Sequence, residues 1–304
     1  MHERTLALAI DLGGTKVDAA LVDDDGAVVT GTVHRAPTGR DAARDDVARA
    51  IVRVAADALA RLGDDRLAGI GIGSAGPVDL GQGAIAPLNL PALAGLPIVS
   101  LVQKLRPDVP VRLALDGACI ALAEHWRGAA AGARNLLAMV VSTGVGGGLI
   151  IDGSPVTGIS GNAGHIGQLR LRKRAPGAPV TDGTLEALAS GPSAVAWARA
   201  EGWAGSSGEQ LAQGYAAADP IAVAAVSRSA GAVGEAIANV ATLLDLEIVV
   251  IAGGFAKVAD DYLDLVRASA QEAAVFDYAR RVRVAASGLD GHGPLIGAAA
   301  LVLR

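Results

Sequence analysis

The chain has 304 residues, enough for one large or two ordinary domains with a substantial core, and a formal charge of −5 that invites no nucleic acid. Its residues are 51% hydrophobic, yet the apolar stretches are short and broken by glycine and charge, so no membrane helix of roughly 18 residues is expected. A single cysteine, Cys119, excludes an internal disulfide and a cysteine-rich metal site, and with no signal-peptide core in MHERTLALAIDLGG the expected location is the cytoplasm.

In chain order, Leu6–Ile10 reads as a buried strand, Asp11–Lys16 as a tight turn, and Val17–Val22 and Val28–Val33 as strands joined through Asp23-Asp24-Asp25-Gly26. A helix is expected from about Asp41 to Leu62, with Val47, Ile51, Val54 and Leu59 on one face, followed by the strand Leu67–Ile72. After the Pro- and Gly-rich loop Pro77–Pro97 come a helix over Val99–Leu105, a strand Val111–Leu115 and a helix from about Ala118 to Ala131. The strand Leu136–Val141, the turn Ser142–Gly148 and the strand Leu149–Ile151 then repeat the strand, glycine turn, strand order of residues 6 to 22. Helices are expected over Gly183–Ala200 and Ala222–Leu244, with Gly208–Asp219 as a loop between them. The strand Ile248–Ile251 runs into Gly253-Gly254, and a helix Pro294–Leu301 closes the chain. With aromatics at 3%, the core must be built by close packing of small aliphatic side chains.

Three glycine turns follow buried strands. In Asp11-Leu12-Gly13-Gly14-Thr15-Lys16, backbone N–H groups freed by glycine can form an anion-binding concavity. Asp11 could there hold a hydrated magnesium ion, and Thr15 and Lys16 could contact phosphate oxygens. The same residues also suit an ordinary tight hairpin turn. Ser142-Thr143-Gly144-Val145-Gly146-Gly147-Gly148 is a second turn with hydroxyls, about one lobe further on, as a nucleoside triphosphate gripped from both sides would need. Gly253-Gly254 could let an adenosine ring lie flat on backbone, or could be a plain strand-to-helix turn. Neither a Walker A pattern nor a G-x-G-x-x-G followed by a ribose-binding acid is present, which argues against P-loop and dinucleotide folds.

Along nearly its whole length the chain resembles the ROK family of bacterial sugar kinases and sugar-responsive repressors. The resemblance rests on Asp11–Lys16, Gly71-Ile72-Gly73-Ser74-Ala75-Gly76-Pro77-Val78-Asp79, Asn89-Leu90-Pro91, Ser142–Gly148, Gly161–Gly167 and Leu185-Glu186-Ala187-Leu188-Ala189-Ser190-Gly191. It implies an α/β, actin-like ATPase (ribonuclease H-like) fold of two lobes with a central cleft. The expected smaller lobe is 1–117 plus about 292–304, and the larger one 118–291. Repressor members carry an additional N-terminal helix-turn-helix, whereas this sequence starts at the first glycine-turn strand, so the kinase branch is expected.

By the same resemblance, Asp116 is the base that takes the proton of a sugar's primary hydroxyl as it attacks the γ-phosphorus of ATP. Gly76, Asn89, Asp116, His165 and Glu186 would contact sugar. Asp11, Gly13, Gly14, Thr15, Lys16, Thr143, Gly144, Gly253 and Gly254 would contact nucleotide, with Mg2+ held through water at Asp11. Asp116 could equally cap the helix that begins near Ala118, and one carboxylate can do both.

Three departures from the family pattern cluster at the sugar site. Leu115 stands where the family usually has an Asn before the catalytic Asp. The family's Gly-Glu-x-Gly-His appears as Gly164-His165-Ile166-Gly167-Gln168, which replaces a sugar-binding carboxylate by imidazole and a zinc-ligand histidine by an amide. Leu169–Thr184 contains none of the usual zinc cysteines, so no structural zinc is expected, and the basic run Leu169–Arg174 reads as a solvated hairpin. Altered contacts at a hydrogen-bonding site signal a changed substrate, so an amino-hexose such as kanosamine or N-acetylmannosamine is expected if glucose fails. The expected activity is thus transfer of the ATP γ-phosphate to the 6-hydroxyl of a glucose-like hexose or amino-hexose, by a cytoplasmic homodimer with no nucleic-acid or membrane partner. Against it stand a non-catalytic sugar sensor, which would need neither the base nor two phosphate turns, and an acetate- or glycerol-type kinase, which would not need Asn89 and Glu186.

Overall fold

The structure is a computed structural model that describes residues 4–289 and 291–304. The chain divides into two compact units: 1–132, 155–164 and 288–304 form the first, 133–154 and 165–287 the second.

The first unit is built on strand β1 (Thr5–Leu12), whose Leu6–Ile10 stretch is wholly buried because it lies at the centre of a sheet covered by helices. Strand β2 (Lys16–Asp23) pairs antiparallel with it, and β3 (His34–Pro37) pairs antiparallel with β2. Helix α1 (Arg44–Leu59) turns Val47, Ile51 and Val54 to the core. Strand β4 (Arg66–Ser74) is parallel to β1, and the small hairpin β5 (Val78–Asp79) and β6 (Ala84–Ile85) leads to helix α2 (Ile98–Gln103). Strand β7 (Val111–Leu115) is parallel to β4, and helix α3 (Asp116–Arg127) begins at once, giving the order β3-β2-β1-β4-β7. The C-terminal helix, Gly293–Leu303, packs on β1, β4 and α3. Its approach is as close as the composition suggested: a Cβ on Gly71 of β4 would collide with the backbone of Ala298, and one on Gly297 with that of Cys119.

The second unit repeats this plan. Strand β8 (Leu136–Val141) pairs antiparallel with β9 (Val145–Ile151), and a two-residue strand β10 (Ser154–Pro155) lies beyond it. Helices α4 (Leu185–Ala189), α5 (Gly191–Ala200), α6 (Gly208–Ala216) and α7 (Pro220–Leu244) follow. Strand β11 (Ile248–Ala252) is parallel to β8, and after α8 (Tyr262–Ala273) and α9 (Asp277–Arg280) strand β12 (Arg283–Ala286) is parallel to β11. The order β10-β9-β8-β11-β12 matches the first sheet strand for strand, an antiparallel hairpin beside parallel strands. The C-terminal helix of the first unit is α10.

Several expectations are corrected. Val28–Val33 is not a strand: only Val28 bridges to Val22, and Thr32 turns back so that its hydroxyl donates to the Val29 carbonyl and accepts from the Leu21 N–H. Gly183–Ala200 is two helices, because Ser190 adopts an extended ψ of 152° and caps the second one through the Ser193 N–H, with Pro192 in its first turn where the missing N–H is tolerated. Gly208–Asp219 contains α6, capped by Ser207 and anchored by the buried Leu211. Gly146–Gly148 lie within β9 and leave a shorter turn. Helix α7 is, by length and composition, apolar enough to cross a membrane, counter to expectation, but most of that stretch is buried in the core of the second unit.

Candidate active site

In the first unit, β1 carries Asp11 near its end, where Asp18 of β2 and Gly73 of β4 are its register partners. The turn that follows is closed by the Gly13 N–H donating to the Lys16 carbonyl (2.9 Å). Thr38 steadies it from outside: its N–H donates to the Thr15 carbonyl (2.9 Å) and its hydroxyl to the Gly13 carbonyl (3.0 Å). Gly14 has ordinary φ but no room for a side chain, because a Cβ there would run into the Asn89 carboxamide. Two residues singled out for different ligands, Gly14 and Asn89, are therefore packed together. Gly76 lies between β4 and β5, and its carbonyl accepts from the Leu88 N–H next to Asn89 (3.2 Å).

Asp116 is the first residue of α3, and its Oδ1 accepts from the Gly117 N–H (2.7 Å). The Ncap is Leu115, so Asp116 sits inside the first turn, where the positive end of the helix favours negative charge. Burial, then the Asp116 and Asp18 carboxylates, push the Asp11 carboxyl up to about 7, against the pull of Lys16 and Arg35. Burial alone would also raise Asp18, which is 5% exposed, but hydrogen bonds from Arg35 (2.6 and 2.9 Å) and Lys16 (2.9 Å) outweigh it and hold Asp18 below the usual carboxylate range. Asp18 and Arg35 were missed in the sequence, and so was Asn162, whose carboxamide both accepts from the Val78 N–H and donates to its carbonyl (2.8 Å each).

In the second unit, Thr143 and Gly144 form the tip of the β8–β9 turn, closed by the Ser142 N–H on the Gly144 carbonyl (2.9 Å). The start of α5 is tied to it, since the Gly191 N–H donates to the Ser142 carbonyl (2.8 Å). Gly253, at a φ of 106°, lies so close over Val141 that a Cβ would strike its carbonyl, and Gly254 follows beside Ser142. Glu186 in α4 reaches the same turn: its Oε2 accepts from the Val145 N–H (2.9 Å), and its Oε1 from the Gln168 amide (3.4 Å). His165 precedes the short 3-10 turn Ile166–Gln168 and its carbonyl accepts from the Gln168 N–H (3.0 Å). This unit thus brings together Thr143, Gly144, Gly253, Gly254 and Glu186, with His165 at the start of the turn that carries Gln168.

The donor set suits a divalent cation at Asp11. Its carboxyl is raised first by burial and then by the Asp116 and Asp18 carboxylates, and a cation bound through water would offset the repulsion among the three. No group of three or more His, Cys, Asp or Glu that could hold a metal ion directly occurs among the described residues.

Two sheets of one topology, each with a glycine turn after its central strand, define an α/β protein of the actin-like (ribonuclease H-like) class. The ROK family model matches residues 7–304, and the chain belongs to that family. It is 34% identical over 299 residues to the N-acetylmannosamine kinase of Citrobacter koseri, covering 97% of each chain. Among solved structures it is similar to the ROK hexokinase of Thermus thermophilus, with a TM-score of 0.83 and 30% identity over 98% of this chain and 97% of that one. It is also similar to a ROK family glucokinase of Streptomyces griseus in complex with glucose and AMPPNP, with a TM-score of 0.82 and 26% identity over 98% and 99% of the two chains.

Proposed function

We propose that this chain is an ATP-dependent sugar kinase that transfers the γ-phosphate to the 6-hydroxyl of a hexose or amino-hexose. The observation that carries the reading is Asp116, a carboxylate on the first turn of α3 beside the partly buried Asp11 at the glycine turn. A binding module would need neither the acid pair nor a second glycine turn. The relative named N-acetylmannosamine kinase supports an amino-hexose, as do the departures at Leu115, His165 and Gln168.

Asp116 takes the hydroxyl proton while the sugar oxygen bonds to the γ-phosphorus and the bond from that phosphorus to the ADP oxygen breaks. In this reading Gly13, Gly14, Thr15, Lys16, Thr143 and Gly144 offer N–H groups, hydroxyls and an amine to phosphate oxygens, and Gly253 and Gly254 take the adenosine. Asn89, His165, Glu186 and the Gly76 segment hold the sugar. Mg2+, held through water at Asp11, would neutralise charge on the phosphate oxygens when bound. No structural zinc belongs to this reading, since Leu169–Thr184 holds none of the cysteines of the family pattern. The family resemblance adds a homodimer in the cytoplasm, which sedimentation of the purified protein and cell fractionation check.

A coupled ADP-release assay with ATP and Mg2+ over glucose, mannose, glucosamine, kanosamine, N-acetylglucosamine and N-acetylmannosamine tests the proposal. Turnover with one of them, lost in Asp116→Asn, supports it. Sugar binding by calorimetry without turnover would move the assignment to a sensor.

A further inference from the structure

Glu186 is held in a way that its role as a ligand contact alone would not require. Both of its carboxylate oxygens are engaged within the second unit, Oε2 by the Val145 N–H (2.9 Å) and Oε1 by the Gln168 amide (3.4 Å). Three features of the chain arrange this. Gly144 leaves the turn open, since a Cβ there would stand 2.7 Å from Oε2. The Leu185 N–H donates to the Leu169 carbonyl (2.8 Å), which locks the residues next to Glu186 and Gln168 together through the main chain. Thr184 caps α4 through the Ala187 N–H and fixes the helix turn on which Glu186 stands.

We propose that Gln168 is a positioning residue that, with the Val145 N–H, fixes the Glu186 carboxylate so that ligand contact and the Thr143–Val145 turn are linked through one side chain. The inference rests on the sugar-kinase reading and deepens it. A carboxylate offers about four lone-pair directions, and two are used here, which leaves the others for ligand hydroxyls or an amine. Fixing the rotamer beforehand removes an ordering cost that ligand binding would otherwise bear. Gln168 contributes a donor that carries no charge at any pH. Because Val145, the first residue of β9, directly follows the Thr143-Gly144 turn assigned to phosphate, a shift of that turn on nucleotide binding that moves Val145 acts on Glu186, and the effect must be reciprocal.

The test is calorimetric titration of the purified full chain with the panel sugar that binds most tightly, with and without AMPPNP and Mg2+, in wild type, Gln168→Leu and Gln168→Glu. Steady-state kinetics are run in parallel. Gln168 is exposed, so both variants leave the core untouched. Wild type is expected to bind sugar more tightly with AMPPNP present. Gln168→Leu should raise the sugar KM about tenfold with a smaller change in kcat, and bring the nucleotide effect towards none. Gln168→Glu places a second carboxylate against Glu186, so its sugar affinity should be weaker still and recover more steeply than that of wild type as pH falls. A purely structural role would lower the melting temperature without altering the nucleotide effect or the pH profile. Folded variants with wild-type sugar affinity, nucleotide effect and pH profile would overturn the inference. If wild type binds sugar without turnover, the kinase reading fails while the coupling data still decide the role of Gln168; if it binds no sugar, both fail.

Discussion

Asp11 and Asp18 stand directly opposite each other across the β1–β2 hairpin, one carboxyl raised to about 7 and the other held below the usual range by Arg35 and Lys16. Of the two, Asp11 is the one whose ionised form is disfavoured, by burial first and then by its acidic neighbours, and folding stability should report it. A carboxyl that moves from 3.8 to about 7 on folding binds more protons in the native state than in the unfolded state between those values, so stability falls as pH rises through that window and levels above it. The span corresponds to at most ~4 kcal/mol, an upper limit because Asp11 keeps some contact with solvent. Urea unfolding of the metal- and nucleotide-free protein from pH 5 to 8 is the check. The stability of Asp11→Asn relative to wild type should increase up to about pH 7 and then stay constant, and a flat difference would contradict the arrangement.

Asp116→Asn keeps the shape of the side chain and the hydrogen bond from the Gly117 N–H to its remaining oxygen. What it removes is the basic oxygen for the sugar hydroxyl. Turnover should drop by about 10²- to 10⁴-fold, with sugar and ATP KM changed only a few-fold. Initial-rate kinetics decide this. A KM effect with kcat intact would make Asp116 a binding group and nothing more.

The contact between Gly14 and Asn89 predicts a non-additive pair. Gly14→Ala forces the carboxamide aside or distorts the turn, with an expected destabilisation of about 1–3 kcal/mol and a loss of turnover. Adding Asn89→Ala makes room for the methyl group, so thermal unfolding should show the double variant more stable than Gly14→Ala alone. Activity should not return, because the sugar contact assigned to Asn89 is gone. Equal and additive losses of stability would mean that the two residues do not touch.

How much of this was legible depends on how local each determinant is. Strands β1, β7, β8 and β11 showed themselves as apolar runs that stop at Asp, Ser or Gly, and their turns placed Asp11, Thr143 and Gly253 correctly at or beside strand ends. Val28–Val33 misled because its β-branched residues suit a strand, while Thr32 satisfies the backbone with its hydroxyl instead. Helix α6 was masked by small polar residues, and the residue that starts it, Ser207, lay just outside the segment judged to be loop. Residues 255–286, with α8, α9 and β12, were assigned no elements from sequence; α8 and β12 gain their places from packing on α7 and pairing with β11. The Asp18–Arg35 pair spans 17 residues and appears only once β3 pairs with β2. One signal was available: a turn that pairs Leu12 with Val17 also sets Asp11 opposite Asp18, two carboxylates that need cations nearby.

The segment from Leu169 to Thr184 offers the last prediction, since it must hold its shape with no cysteine. Its main chain is joined at the Leu171 and Arg172 N–H groups, both of which donate to the Gly183 carbonyl (2.9 and 3.1 Å). Arg170 spans the loop to the Val180 and Asp182 carbonyls, and the Asp182 carboxylate accepts from the Ala175 N–H (2.9 Å). One planar guanidinium bonded to two carbonyls is a fixed cross-link, and Lys in its place would offer a single point charge on a flexible stem. Arg170→Lys and Arg170→Ala should therefore both loosen the loop, seen as faster amide exchange over residues 170–184. Because this loop leads into α4, the sugar KM should rise with kcat less affected, while EDTA followed by excess Mg2+ should leave melting temperature and activity as they were. A chelator effect that Mg2+ fails to reverse would show that a tightly bound metal, and not Arg170, holds the loop.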